Sequence, residues 1–218
     1  MKKTLFVLFL MLSLGYSYAQ VLGKKINAIP YDLEVYNNPV SYTIDNNVLE
    51  ITALGKTNLI NSPNEKSKVN NAPMILFEPE GDFTLSAKVS GDLKAIYDVA
   101  ALVIYDNENT WAKLCYENSV FEEPTIVSVV TREFSDDCNS EKTGEYAYLA
   151  VVKKSDEYSF FYSQDRKVWK MIRHFNLKTS GKIKAGFAAH GSRGNGFTGI
   201  FSEIIYRDGT IHDMRDLN

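Results

Sequence analysis

WAKLCYEN, residues 111 to 118, is followed after one turn by TIVSVVTREFSDD, residues 125 to 137. Side chains alternate across a strand, so Trp111, Lys113, Cys115 and Glu117 share one face of the first segment, and Ala112, Leu114 and Tyr116 share the other, which suits a core. In the second segment, pointing Val127, Val129 and Thr131 at the core leaves Ile126, Ser128, Val130 and Arg132 beside Trp111 and Glu117. A one-residue slip would set Arg132 over the apolar face at a large desolvation cost, which favours the first register.

The preceding run YDVAALVIY, residues 97 to 105, extends the pattern. Ala100, Leu102 and Ile104 suit the core, so Tyr97, Val99, Ala101, Val103 and Tyr105 join the surface of Trp111. Three strands then build a platform with aromatic edges, a small-residue centre and a Lys, Glu, Arg trio.

Period-2 alternation recurs along most of the chain. FTLSAKV (83–89), SYTIDNNVLEIT (41–52, with a turn at Asn46 and Asn47), EYSFFYS (157–163), KVWKMIRHF (167–175), IKAGFAAH (183–190) and FTGIFSEIIYRDGTIHD (197–213, with a turn at Asp208 and Gly209) all read as strands. No comparable stretch carries a helical stripe. Many short strands joined by polar turns predict an all-β, antiparallel two-sheet sandwich or jelly roll. Residues 61 to 73, NSPNEKSKVNNAP, form the longest expected loop and are expected to wall a cleft.

Lys2 and Lys3, the apolar stretch Leu5 to Leu14 and the small-x-small sequence Ser17, Tyr18, Ala19 read as an export signal over residues 1–19. The expected remainder, residues 20–218, is a single jelly-roll domain, periplasmic or secreted. No later apolar run is long enough to cross a bilayer. The whole chain has 24 basic and 27 acidic residues, and loss of Lys2 and Lys3 leaves 22 against 27. An acidic balance gives no support for a nucleic-acid partner. Residues 153–184 oppose this trend with nine Lys or Arg and three acids; solvent-facing strand positions account for them more simply than an acidic polysaccharide does.

The expected ligand is a carbohydrate or related polyhydroxylated small molecule. An aromatic ring lies well against the apolar face of a pyranose, and fixed charges hydrogen-bond hydroxyls strongly. The competing reading is a solvated ladder of ion pairs with Trp111 packed under a loop, where each pair contributes only about 0.2 to 1 kcal/mol.

YDVAALVIYDNENTWAKLCYE, VSVVTREFSDD, FFYSQDRKVW and GFAAHGSRGNGFTGIFSEI, in that order and spacing, resemble a family of concanavalin A-like jelly rolls of unknown function that includes the yeast regulator-of-enolase proteins. The resemblance runs from about residue 36 to about residue 206. It implies a concave sheet like those of lectins and glucanases, and no agreed activity. It marks Trp111, Lys113 and Glu117 on one strand, Ser128, Thr131 and Arg132 on the next, and Ser135 and Asp136 in the loop that follows. The chain departs from the commoner pattern at Val99 and Ala101, where many members have Gln and Gly, at Thr57 to Ile60, and at Asp137, where many have Trp.

The glucanase Glu-x-Asp-x-x-Glu motif of this fold is absent, and Glu117 with a loop Asp is the remaining carboxylate pair. Ser128 and His190 lack a GxSxG elbow for an esterase. His174, His190 and His212 are scattered, so no cofactor or transition metal is expected, and a structural calcium ion remains open without an assigned place. A Cys115–Cys138 bridge requires the SDDCNS loop to fold back over the sheet; otherwise Cys115 is buried and inert.

The sequence therefore predicts a non-catalytic carbohydrate-binding jelly roll. Trp111 stacks, Lys113, Glu117, Ser128 and Arg132 hydrogen-bond, Tyr105 flanks, and Asp136, Asp137 and His190 stand at the rim. A glycan hydrolase or lyase and a protein-interaction module are the alternatives.

Overall fold

A computed structural model describes residues 20–209 and 211–218, so the export segment read at residues 1–19 lies outside the described residues. The described chain is all-β, and every pairing between its strands is antiparallel. The strands run β1 (Gln20–Val21), β2 (Glu34–Tyr36), β3 (Ser41–Asp45), β4 (Val48–Leu54), β5 (Leu59–Asn61), β6 (Lys68–Asn70), β7 (Met74–Phe77), β8 (Phe83–Ser90) and β9 (Asp98–Asn107). They continue through β10 (Thr110–Asn118), β11 (Pro124–Arg132), β12 (Phe134–Lys142), β13 (Tyr146–Lys154), β14 (Glu157–Ser163), β15 (Lys170–Asn176), β16 (Lys184–Gly191) and β17 (Gly196–Asp208).

Two sheets face each other. One has the order β1-β2-β7-β16-β9-β10-β11-β12, the other β15-β14-β13-β8-β17-β4-β3, and β5 and β6 form a separate hairpin. The jelly-roll sandwich expected from the alternating pattern is the fold observed. Between the sheets lies a continuous apolar core, with Leu102, Leu114, Tyr116 and Phe187 from the first sheet against Leu85, Leu149, Phe160 and Phe201 from the second. In β8 the burial alternates strictly, Phe83, Leu85, Ala87 and Val89 inward, because its other face looks outward.

A second apolar cluster covers the outer face of the eight-stranded sheet. Leu59 of β5 and Ala72 pack there on Val99, Ala101, Val103, Trp111, Cys115, Val127 and Val129. The central strands are thus buried on both faces and lose the one-sided alternation from which register is read. That is why the expected facing of β11 is reversed. Trp111 pairs with Thr131, Lys113 with Val129, Cys115 with Val127 and Leu114 with Ser128. Val127, Val129 and Thr131 therefore share the outer face with Trp111, while Ile126, Ser128, Val130 and Arg132 face the other sheet. No burial of Arg132 results, because it ends the strand and its guanidinium reaches the sandwich rim, donating to the Asn176 carbonyl.

Three further expectations change. Residues 134 to 142 are a strand, not a loop: Glu133, at φ 71°, makes the turn, and Phe134 pairs back to Arg132. As an edge strand with almost every residue exposed, β12 has no apolar period to reveal it. Beyond Gly209, at φ 82°, no strand returns among the described residues; the tail instead lays Ile211, Met214 and Leu217 over Ala150, Val152 and Phe161 on the outside of the second sheet. Both cysteines are free, Cys115 buried on the outer face and Cys138 exposed opposite Ser128, a residue of the inner face.

Candidate functional site

Only part of the expected platform is open. The β5–β6 hairpin lies across its Trp111 end and is fastened by polar groups. Asn61 donates from its side chain to the carbonyls of Glu108 (2.9 Å) and Glu133 (3.0 Å), and its backbone N–H donates to Ser135 Oγ at 2.9 Å. Ser135 Oγ is itself 2.9 Å from Thr131 Oγ1. Thr131 and Ser135, marked by the family resemblance, serve here to hold the hairpin down. Trp111 is fully buried beneath it, so it does not stack on a ligand. Tyr105, half-buried beside Tyr36, accepts a hydrogen bond from Asn70 of the hairpin and belongs to the same covered region.

Beside the hairpin lies a cleft of about 380 Å³, lined by Lys113, Glu117, Val127, Val129 and Asp137 of the sheet, by His190, Tyr97 and Arg193, and by Asn58, Ile60, Ser62, Pro63 and Ser67. The expectation that residues 61 to 73 wall a cleft holds. The register places His190, Val99 and Glu117 in one cross-strand row and Gly186, Val103, Lys113, Val129 and Asp137 in another four residues away along each strand. Between them run Ala188, Ala101, Cys115 and Val127. These are small or medium side chains, and the long Lys113 stem crosses them to bring Nζ within 3.1 Å of His190 Nε2.

That contact fixes the tautomer. The ammonium can only donate, so Nε2 accepts, and the ring proton sits on Nδ1, where the Tyr97 carbonyl and Ser192 Oγ (3.3 Å) are its partners. Burial and the Lys113 charge hold the His190 pKa well below the ordinary histidine range, so the ring is neutral. Burial, reinforced by Asp137 and opposed by Lys113, pushes Glu117 up to about 7. Glu117 is 9% exposed and its carboxyl has no hydrogen-bond or ion-pair partner among the described residues. Its oxygens open to the cleft, where they can hydrogen-bond water or a ligand.

Tyr97 is held by its neighbours in the left-handed region, at φ 65°, its N–H bonded to the Asn118 carbonyl at 2.8 Å. The adjoining turn is braced by Asp98, whose carboxylate accepts from the N–H groups of Lys94 and Ala95. Arg193 rides on the Gly191 to Gly196 loop, which packs so tightly on the β4–β5 connection that a Cβ on Gly55 would meet the Gly194 carbonyl oxygen at 2.3 Å. Its guanidinium lies 5.9 Å from the Tyr97 ring.

Of the expected site residues, Lys113, Glu117, Asp137 and His190 meet in this cleft. Trp111 and Tyr105 lie under the hairpin. Ser128 is fully buried in the inner face, its hydroxyl without a partner. Arg132 sits at the rim, and Asp136, one residue out of phase with Asp137, pairs across the sandwich edge with Arg173 at 2.7 Å. Two further residues reach the cleft that are not among the expected site residues: Tyr97, which the alternation of residues 97–105 already sets on this surface, and Arg193, whose one signal in the sequence is its place among glycines. No group of three or more potential metal ligands occurs among the described residues.

The chain belongs to the family described as "Protein of unknown function (DUF1349)", which matches residues 35–208. No curated protein sequence matches the chain. Among solved structures it is similar to a functionally unknown protein from Saccharomyces cerevisiae, at 21% identity and a TM-score of 0.75, over 81% of this chain and 96% of that one. It is also similar to the GH43 BlXynB protein from Bacillus licheniformis, at 17% identity and a TM-score of 0.62, over 80% of this chain but 36% of that one. A third likeness is to the carbohydrate binding module CBM66 from Bacillus subtilis, at 8% identity and a TM-score of 0.50, over 81% and 95%. At such identities the likeness is one of fold, a sandwich shared with carbohydrate-related proteins. No helix among the described residues is long and apolar enough to cross a membrane.

Proposed function

We propose that this DUF1349 chain is an exported carbohydrate-binding protein that takes its ligand in the cleft between the β5–β6 hairpin and the Gly191 to Gly196 loop. One observation carries the reading: Lys113 and Glu117, both buried, turn their polar ends to this cleft, with a single hydrogen bond between the protein and Lys113 and none to Glu117. Sugar hydroxyls, each donor and acceptor at once, fit a wall that offers an ammonium, a carboxyl and the Asp137 carboxylate together. Tyr97, half-buried at the cleft edge, takes the stacking role expected of Trp111. The likeness in fold to a carbohydrate binding module supports this reading.

The test is a thermal-shift screen of the protein against a broad glycan panel. Stabilisation by one glycan class that is lost in Tyr97→Ala and Asp137→Ala but kept in Trp111→Phe is the expected result. A flat response across the panel defeats the proposal.

A second reading is favoured by one observation. Glu117, with its proton held to about pH 7, shares the cleft with a second carboxylate, Asp137, which is the pairing of acid and base that glycoside hydrolysis uses. New products from oligosaccharides, abolished in Glu117→Gln, would establish it; binding without turnover would remove it.

A further inference from the structure

The cleft carries charged groups of both signs. Lys113, its ammonium against the neutral His190, and Arg193 of the loop are the cations; Glu117, in the His190 row, and Asp137, on the edge strand, are the carboxyl groups. Neither cation has a carboxylate within ion-pair distance among the described residues. The Lys113 ammonium meets only the His190 ring and, 5.9 Å away, the Trp111 face. The Arg193 guanidinium meets only the Tyr97 ring.

Resting on the carbohydrate reading, we infer that the ligand is an acidic sugar, a uronic-acid residue whose carboxylate sits between Lys113 and Arg193 while its hydroxyls reach Asp137. Lysine and arginine donate hydrogen bonds and accept none, so a group seated between them must bring acceptors, and a carboxylate brings the strongest. Lys113 is already stripped of water, 3% exposed, and fixed in place by His190. Its desolvation is met on folding rather than on binding, which leaves its charge free to act on an arriving anion. The planar fork of Arg193 is matched to a carboxylate in a way that it is not matched to a single hydroxyl. A neutral sugar would leave both cations without a carboxylate at ion-pair distance.

Proton uptake accompanies this mode of binding. The charges acting on Glu117 are Lys113 on its own strand and Asp137 on β12; Arg193 lines the same cleft from the loop, His190 is neutral, and Lys142, opposite Thr125, is occupied by Glu123 at 2.7 Å. Glu65 and Lys66 of the hairpin turn are solvent-exposed. An anion brought against this group favours the protonated Glu117, so affinity rises as pH falls through about 7.

Calorimetric titration with oligogalacturonate, alginate and glucuronoxylan oligomers, each beside its carboxyl-reduced counterpart, tests the inference at pH 6 and pH 8. Expected at pH 6 is binding of one acidic series at least tenfold tighter than its reduced form. That preference should disappear in Arg193→Gln, an exposed loop position, and in Lys113→Met. Affinity should fall several-fold from pH 6 to pH 8, and less so in Glu117→Gln. Equal affinity for acidic and reduced forms, or a preference untouched in Arg193→Gln, overturns the acidic-sugar inference and leaves carbohydrate binding standing. Absence of binding by either form, together with a flat glycan panel, overturns both.

Discussion

Lys113 Nζ lies 3.1 Å from His190 Nε2, joining β10 to β16, two places away in the sheet. The pair makes a charged lysine tolerable in an almost closed position by giving it an acceptor that carries no charge. The Lys113 charge also acts on both His190 and Glu117, lowering the pKa of each.

In Lys113→Met, removal of the cation relieves the histidine and burdens the acid. The His190 pKa should rise, since Lys113 lowers it, and the Glu117 pKa should climb above about 7 for the same reason. NMR titration of the imidazole and carboxyl signals reads both shifts. Movement of the two in opposite senses contradicts the shared field.

Stability should depend on pH through two opposed groups. Glu117 is raised from 4.5 to about 7, so the folded state keeps a proton that the unfolded state releases. Its contribution is complete below about pH 4.5 and is lost as pH rises to about 7. His190 is lowered, so its contribution is complete above its unfolded value near 6.5 and is lost as pH falls below it. Glu117→Gln, which keeps the shape and removes the charge, should therefore match the parent near pH 4 and exceed it at pH 8 by about 1 to 3 kcal/mol, at about 1.4 kcal/mol per unit. Denaturant unfolding at the two pH values checks this; a variant less stable than the parent at pH 8 refutes it.

Trp111 should report on the hairpin and the fold. Trp111→Ala empties a fully buried site and should cost about 3 to 5 kcal/mol. Asn61→Ala removes two donors to the Glu108 and Glu133 carbonyls and should free the β5–β6 hairpin, seen as faster amide exchange at residues 59–70 and cleavage within residues 62–67 by protease. Unchanged exchange in Asn61→Ala would show that the apolar contacts of Leu59 alone hold the hairpin.

Ser128→Ala should leave ligand binding intact and stability equal or up to about 1 kcal/mol higher, because its buried hydroxyl has no partner to lose. Loss of binding in this variant would put Ser128 back in the site.

Thiol titration should find one reactive cysteine in the native protein and two after denaturation. Cys138 is exposed, whereas Cys115 is buried with its thiol pushed up to about 12. A disulfide would give none.

The sequence alone determined the layered all-β fold, the β9 and β10 facings and the sharing of one surface by Lys113 and Glu117, because period-2 alternation is a local property of an extended chain. Within β11 the same rule was powerless: Val127 and Val129 are as apolar as Ile126 and Val130, and only the return of β5 over the outer face explains why both sets are buried. On β12, solvent on nearly all sides removed the pattern altogether, and Asp136 and Asp137, neighbours in sequence, face opposite ways. Tertiary structure alone decided that the indole of residue 111 is roofed over and that Arg193 reaches the cleft. Those outcomes depend on which distant loop folds across which strand, and no local periodicity encodes that.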